Sequence, residues 1–447
     1  MEGSIAHWVQ PSSALLGLNH LLHIRSNQLR FYERLRDTHG DVVRLRLGPY
    51  RSHLLFHPDH IEELLTRKWS NFVRFKKLMQ VVRQWNGDSL ILAEGDDWRE
   101  RRRKVMPAFQ TKRLPGYGAM AVNETTRLCN QLSDLAVAGK LSINTDSTMA
   151  RLTLDIATRT LFGADPRTNG ADIERAIQIL SDTAFRESTA PVNMPDWLPL
   201  QGKYRKKWAV KVLDDLVRGL VRERMERGDR GAQADLLISL IQQHKGDFEK
   251  IRDDVMSLLI AGHETSGALL SWVFACLAQN PDWLAKLRQE LEVNLRGRPP
   301  VAADLKALSV LGAVINETLR LYPPAYSLFL RQAEQDTDLL GLRLRKGDLV
   351  QIVPFITQRD PRFFANPRIF DPKRFLSDPT WPQYAYLPFG AGPRVCIGQK
   401  FGLMESCLVV ATVLQRMVPE RLAQFPTLSA KFSLRPLEGL PMTWSMI

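Results

Sequence analysis

Cysteine is scarce in this 447-residue chain: Cys129, Cys276, Cys396 and Cys407 are the only four, and they are scattered. They are too few and too dispersed for a disulfide framework and suit a reducing compartment, so a cytoplasmic location is expected. Gly/Ser-rich or Pro-rich linkers, low-complexity tracts and internal repeats are all missing. One compact unit is therefore expected, although the length alone would allow more than one domain. No basic stretch follows Met1-Glu2, and the apolar patch from Ala14 to Leu22 is short and broken by Asn19 and His20, so neither a signal peptide nor a membrane span is expected. Acidic charge is in deficit, with 48 Asp+Glu against 61 Lys+Arg and a formal net charge of +13. No nucleic-acid reader motif accompanies that excess, which favours a docking face for an acidic protein partner over nucleic-acid binding.

What is present is mostly helical. Val43 to Leu47 alternates as a strand, Gly48-Pro49-Tyr50 turns the chain, and Ser52 to Phe56 returns. Pro58-Asp59 opens a helix through Leu65. Phe72 to Asp97 is mixed and loop-like, suited to a flap over a pocket. Trp98 to Lys104 is a basic helix that Pro107 helps to end; Trp98 and Arg102, four apart, share one face, and on composition alone the helix reads equally well as a solvated charged one. Helical periodicity covers Ala119 to Leu161 and Ala171 to Phe185, Pro191 to Pro199 interrupts it around Trp197, and an amphipathic helix runs from Tyr204 to Arg227. Val255 to Ala278 is the longest apolar segment. His263, Glu264 and Thr265 at its centre are costly in lipid, so a helix from Arg252 to Gln279 is expected as the central rod of a globular fold. Val314 to Tyr322 is helical and stops before Pro323-Pro324, with Glu317 and Arg320 spaced to pair. Leu434 to Trp444, turning at Glu438-Gly439, is expected to form a C-terminal hairpin. The fold class is thus mainly α with a smaller β region, a single domain over residues 1–447 with 1–30 as an N-terminal extension.

Two strings carry chemistry. The first is Phe389 to Gly398, F-G-A-G-P-R-V-C-I-G, followed by helical periodicity from Gln399 to Met417. Cys396 is expected in a loop at a helix N-terminus, where unpaired N–H groups, the helix dipole and nearby Arg394 favour a thiolate. Gly392 and Gly398 allow tight turns around the sulfur. A lone cysteine is more often a small buried hydrophobe. A dinucleotide fingerprint fails because Val395 holds the third glycine position, and a zinc site would need further Cys or His at short spacing. The second string is Ala261-Gly262-His263-Glu264-Thr265-Ser266. Gly262 costs about 1 kcal/mol against Ala in a helix interior, and close approach of a flat cofactor is one reason to keep it. Thr265 can hydrogen bond the Ala261 carbonyl and loosen the helix, with Glu264 as a proton source. The competing reading is a helix crossing lined by small residues; a zincin motif is excluded by Gly267.

The ten-residue string resembles the haem-binding loop of the cytochromes P-450, F-x-x-G-x-R-x-C-x-G, met at Phe389, Gly392, Arg394, Cys396 and Gly398. Ala261 to Thr265 is similar to that family's A-G-x-E-T, and the resemblance runs from near Phe31 to the end. It implies the cytochrome P-450 fold, with haem b as cofactor and Cys396 as the thiolate ligand to its iron. It implies Glu264 and Thr265 as the proton-delivering catalytic pair, and Ala261, Gly262, Phe389 and Gly398 beside the haem. Trp98 and Arg102 (W-x-x-x-R), Arg331 and Arg394 would hold its propionates. Glu317 and Arg320 would form a buried structural triad with Arg374 of Phe370 to Phe375; Lys373 stands there in place of the usual Glu, and Gln358 where His is common. Electrons would come from NAD(P)H through a separate reductase and a ferredoxin or flavodoxin docking on Arg99, Arg101, Arg103 and Lys400, since no flavin or iron–sulfur motif is present. The protein is expected to be a monomer acting on a large apolar substrate: a fatty acid, carotenoid or other terpenoid. Pocket stretches are Phe72 to Leu92, Phe185 to Leu200, Ala325 to Phe329 and Leu437 to Met442. Arg51 is either a carboxylate anchor at the pocket mouth or an ordinary exposed turn arginine. A hydrogen-peroxide-dependent peroxygenase and a non-catalytic haem sensor or carrier are the alternatives.

Overall fold

The computed structural model describes residues 17–163, 170–190, 194, 197–198, 200–227 and 236–447. Among them the helices are α1 (Leu18–His39), α2 (Pro58–Glu62), α3 (Lys76–Asn86), α4 (Gly95–Val105), α5 (Leu114–Asp134), α6 (Thr145–Phe162), α7 (Gly170–Thr189), α8 (Gln201–Arg227), α9 (Leu236–Gln243), α10 (Phe248–Gln279), α11 (Pro281–Leu295), α12 (Ser309–Leu321), α13 (Pro354–Thr357) and α14 (Gln399–Leu414). The strands are β1 (Val42–Leu47), β2 (Tyr50–Leu55), β3 (Phe72–Arg74), β4 (Lys140–Asn144), β5 (Arg331–Ala333), β6 (Thr337–Leu339), β7 (Leu342–Leu344), β8 (Leu349–Ile352), β9 (Met417–Pro419), β10 (Leu428–Ala430), β11 (Leu434–Pro436) and β12 (Pro441–Met446).

Helix α10 is the rod around which the rest packs. Asp247 caps its start, accepting from Lys250 N at 3.3 Å, and every residue from Ser266 to Ala278 is buried. Asn280 ends it and Pro281 starts α11, a proline where the missing N–H costs nothing. Helix α6 crosses α10 at Gly267, where a Cβ would stand 3.0 Å from Ala150 Cα. On another side Trp272 stacks on Tyr322 at 4.7 Å and donates to the Leu434 carbonyl at 2.9 Å.

The largest of the four sheets among the described residues is five-stranded, ordered β1-β2-β8-β5-β3. Its first hairpin forms as the alternation predicts, with Leu47 opposite Tyr50 and Gly48 at φ 61° in the turn. Other expectations are corrected. Helix α1 begins inside the supposed N-terminal extension and belongs to the core: Ile24 and Leu29 are buried, and His20 Nδ1 donates to the Arg46 carbonyl at 3.1 Å. Helix α2 stops at Glu62 and gives way to a π-helical turn, Glu63–Arg67. The flap contains α3, with Met79, Val81, Val82 and Trp85 buried. Strand β4 splits the helical stretch from Ala119 to Leu161. The C-terminal hairpin does not close on itself: β11 pairs with β10, while β12 pairs with β4 and β9. The prolines Pro191, Pro195 and Pro199 lie outside the described residues.

Candidate active site

The loop before α14 curls by backbone geometry. Gly390 and Gly392 both sit at φ 70°, left-handed positions that L side chains resist. A Cβ at Gly392 would fall 1.9 Å from the Leu65 carbonyl oxygen of the π-helical turn. Cys396 N donates to the Phe389 carbonyl at 3.0 Å and Val395 N to that of Gly392 at 3.0 Å, closing the curl. Gly398 differs from expectation: its φ is −87°, and it is the residue from which α14 starts. Its N–H points at the Cys396 sulfur. That N–H and the Arg102 guanidinium draw the thiol pKa down, but burial outweighs them and pushes it up. Cys396 as a residue is exposed, yet the helix terminus and the cation do not outweigh the desolvation of its sulfur and do not by themselves make it a thiolate. A bound metal cation does.

The buried rod α10 has an opening. Ile260, Ala261 and Gly262 are partly exposed and Thr265 is exposed, in a helix otherwise sealed around them. Nothing lies within 4 Å of a Cβ built on Gly262. Thr265 Oγ1 donates to the Ala261 carbonyl at 2.8 Å. Ile260, Phe329 and Ile397 pack against the same apolar cluster, which includes Trp98, so α10, α4 and the cysteine loop share one core. Glu264 behaves differently from Thr265. It is buried, accepts from Ser433 Oγ at 2.8 Å and from Ser181 Oγ at 3.2 Å, and burial raises its pKa against the pull of Arg435. Behind the opening Ser266 Oγ donates to Glu405 Oε2 at 2.8 Å, tying α10 to α14, and burial pushes Glu405 up to about 8.

A cluster of guanidiniums borders the same space. Arg74 and Arg331 stand directly opposite across the antiparallel β3–β5 pair, an arrangement like charges disfavour. Arg394 lies 3.9 Å and Arg102 5.8 Å from the centroid of the Trp98 ring. The carboxylate that serves them is Glu94, ion-paired with Arg394 and, at 3.2 Å, with Arg74. Burial, then repulsion from Arg74, holds Arg394 down to about 9 and Arg331 to about 10. Arg74 Nε is buried with no partner among the described residues. This surplus of cation, beside a glycine that leaves room for a flat face, fits the two propionates of a haem. Arg102 is more tightly engaged than expected, donating to the Val395 carbonyl at 2.8 Å and so holding the cysteine loop. Sequence reasoning missed Arg74 and Glu94. The signal available was a lone arginine in the strand Phe72–Arg74, whose meaning depends on a partner strand far along the chain.

Glu317 and Arg320 are both fully buried. All five N–H donors of Arg320 are used: two bonds of 2.7 Å to Glu317, and bonds to the carbonyls of Gln358 (2.8 Å), Pro367 (2.7 Å) and Ile369 (3.2 Å). Arg374 Nε lies 3.4 Å from Glu317 Oε1 as an ion pair without hydrogen-bond geometry. Gln358 is fully engaged, donating to the Leu319 and Arg320 carbonyls and accepting from Leu387 N at 2.8 Å. Two surface readings are corrected. Arg101 is buried and bound to Asp97 at 3.0 Å and Asp254 at 3.5 Å, so it leaves the basic face that Arg99, Arg103 and Lys400 present. Arg51 is paired with Asp348 at 2.7 Å, which removes it as a free carboxylate anchor.

A cysteine curled into a loop, an opening in the central helix and an arginine-lined border together define a haem-thiolate protein. The chain belongs to the cytochrome P450 family, whose profile matches residues 10–437. It is similar to a cyclooctatin synthase of Streptomyces melanosporofaciens, 33% identical over 420 residues that cover 92% of this chain and 89% of the relative. A cyclooctat-9-en-7-ol 5-monooxygenase of the same organism is 33% identical over 412 residues, 89% of this chain and 86% of the relative. A pentalenene oxygenase of Streptomyces avermitilis is 30% identical over 408 residues, 89% and 88% respectively. The protein is a haem-dependent monooxygenase. Among the described residues no helix is long and apolar enough to cross a membrane.

Proposed function

We propose that this monooxygenase carries haem b on Cys396 and hydroxylates a large cyclic terpenoid, drawing electrons from NAD(P)H through a separate reductase and a ferredoxin or flavodoxin. The observation that carries the cofactor reading is the surplus of cation around one carboxylate, with Arg74 and Arg394 paired to Glu94 and Arg331 within its field, beside the Cys396 loop that Arg102 holds. When bound, the haem supplies activation of O2 and transfer of one oxygen atom to a C–H bond, the other leaving as water.

The chain's own residues do the rest. Arg74, Arg331 and Arg394, with Trp98 alongside, neutralise the propionates, and Arg102 fixes the loop that presents the sulfur. Gly262 keeps the face of α10 open. The hydroxyl of Thr265, held by the Ala261 carbonyl, holds a proton at the opening, and Glu264 replenishes it. The Glu317–Arg320 pair, with Arg374 beside it, ties the segment from Gln358 to Asp371 to α12. Arg99, Arg103 and Lys400 form part of the face on which the electron carrier docks.

Terpenoid is preferred over fatty acid on two grounds. Arg51 already has Asp348 as its counter-ion, and the relatives are named for cyclooctat-9-en-7-ol and pentalenene. Titration of the ferric protein with cyclic terpene hydrocarbons and alcohols, alongside C12 to C18 fatty acids at about the same concentrations, tests the choice. The terpenoids are expected to shift the haem spin state at lower concentration. Tighter binding of fatty acids than of their methyl esters would contradict the reading.

A further inference from the structure

Glu264 and Thr265 are neighbours on α10, but their hydrogen bonds run to different elements. Thr265 bonds its own helix, whereas Glu264 is held by Ser433 at 2.8 Å and by Ser181 of α7 at 3.2 Å. Ser433 is the bend that immediately precedes β11, and Arg435 lies within that strand two residues further on. Leu434 between them is fixed by its N–H bond to the Pro324 carbonyl at 3.0 Å and by the Trp272 indole on its carbonyl at 2.9 Å. Arg435 is only 12% exposed, and its Nη2 stands 3.4 Å from Asp146 Oδ1 of α6. Neither Nη2 nor Nε has a hydrogen-bond partner among the described residues. Its field also reaches Glu174 of α7 and Glu264 of α10. One nearly buried guanidinium with unused donors, set among carboxylates from three helices, meets the conditions for bridging water.

We propose that Ser433 and Arg435 are the solvent side of Glu264: the unused donors of Arg435 hold a hydrated chamber, and Ser433 passes protons from it to the Glu264 carboxylate. The proposal rests on the reading of Glu264 as the proton source. In each transfer a chamber water gives a proton to Ser433 Oγ while the Ser433 hydroxyl proton moves to Glu264 Oε1. The hydroxide left behind is neutralised by solvent, and no electrons move. The charged groups around Glu264 are Arg435, which favours its ionised form, and Asp182 of α7, which opposes it and is itself paired with Lys431 at 2.8 Å. Asp146 and Glu174 share the field of Arg435. His263 on the same helix is held neutral, its pKa lowered to about 3 by burial and then by Arg435. Burial favours the protonated acid, and the hydrogen bonds from Ser433 and Ser181 act with Arg435 against it.

The test is an infrared titration of the ferric holoenzyme, with Glu264→Gln identifying the carboxyl band and transfer into D2O timing exchange of its proton. Ser433→Ala is expected to slow that exchange about tenfold or more with an unchanged melting temperature, and Ser433→Thr to restore it. Arg435→Gln, which removes the donors that hold the chamber water, is expected to slow the same exchange about threefold or more. The CO-bound spectrum of each variant reports the haem-thiolate bond separately, so loss of that band marks failure of the cofactor reading and not of this proposal. Unchanged exchange in Ser433→Ala overturns the proposal, as does unchanged exchange in a folded Arg435→Gln. Should Arg435→Gln not fold, the comparison of Ser433→Ala with Ser433→Thr decides.

Discussion

Glu405 has no place to put a negative charge. It is 1% exposed, Ser266 bonds one oxygen at 2.8 Å, and the other has no partner among the described residues. Burial therefore moves its pKa from 4.5 to about 8, in the direction opposite to a paired carboxylate. The unfolded chain releases this proton near pH 4.5 while the fold retains it to about pH 8. Stability from the protonated form is thus fully present below the unfolded value and lost as pH rises through the folded one, by at most ~1.4 kcal/mol per pH unit. Glu405→Gln keeps the shape and cannot ionise. It is expected to match the wild type near pH 5, to exceed it near pH 8, and to flatten the dependence between them, as read by denaturant unfolding. Equal slopes for the two proteins would show that Glu405 ionises freely. Arg320 is the contrasting residue: its five donors meet five acceptors, so nothing on its buried guanidinium is unsatisfied.

Helix α10 carries two glycines, five residues apart, in opposite environments. At Gly262 a Cβ meets open space, whereas at Gly267 it comes within 3.0 Å of the Ala150 backbone. Alanine is worth about 1 kcal/mol more than glycine in a helix interior, so propensity alone predicts that both changes stabilise. Gly262→Ala is expected to raise the melting temperature of the protein but to lower its haem content, because the methyl group enters the face of the cofactor. Gly267→Ala is expected to lower the melting temperature, since two helix backbones must separate. Changes of the same sign at both positions would contradict this account of the crossing. The sequence made α10 legible through its long apolar run with ionisable residues at the centre, and made the first hairpin legible through alternation across Gly48. Strand β4 escaped because its residues alternate between exposed and half-buried positions, leaving no apolar stripe to read. Helix α3 escaped because its apolar residues sit among Lys and Arg. The burial of Arg101 and the pairing of Arg51 depend on Asp254 and Asp348, partners that only the folded chain brings close.

On the scale of the molecule, the +13 charge is not spread evenly in its consequences. Many cations are consumed in ion pairs, as with Arg218 on Asp214 and Glu249, or Arg362 on Asp41 and Asp360. Arg103 and Lys400 stay exposed beside α4 and the start of α14, the two helices that flank the cysteine loop. A carrier steered there by charge should reduce the protein more slowly as salt rises, because the Debye length falls from about 10 Å at 0.1 M to about 3 Å at 1 M. Charge reversal at Arg103 and Lys400 is expected to slow reduction at low salt and to leave the rate at high salt nearly unchanged. Stopped-flow reduction by an acidic ferredoxin or flavodoxin measures both. Indifference to salt and to charge reversal would place the electron entry on another face. All of this presupposes that Cys396 holds the haem, and the spectrum of the reduced protein under CO tests that most directly. A strongly red-shifted Soret band that disappears in Cys396→His is the predicted result, and an unshifted, histidine-like band in the wild-type protein would contradict it.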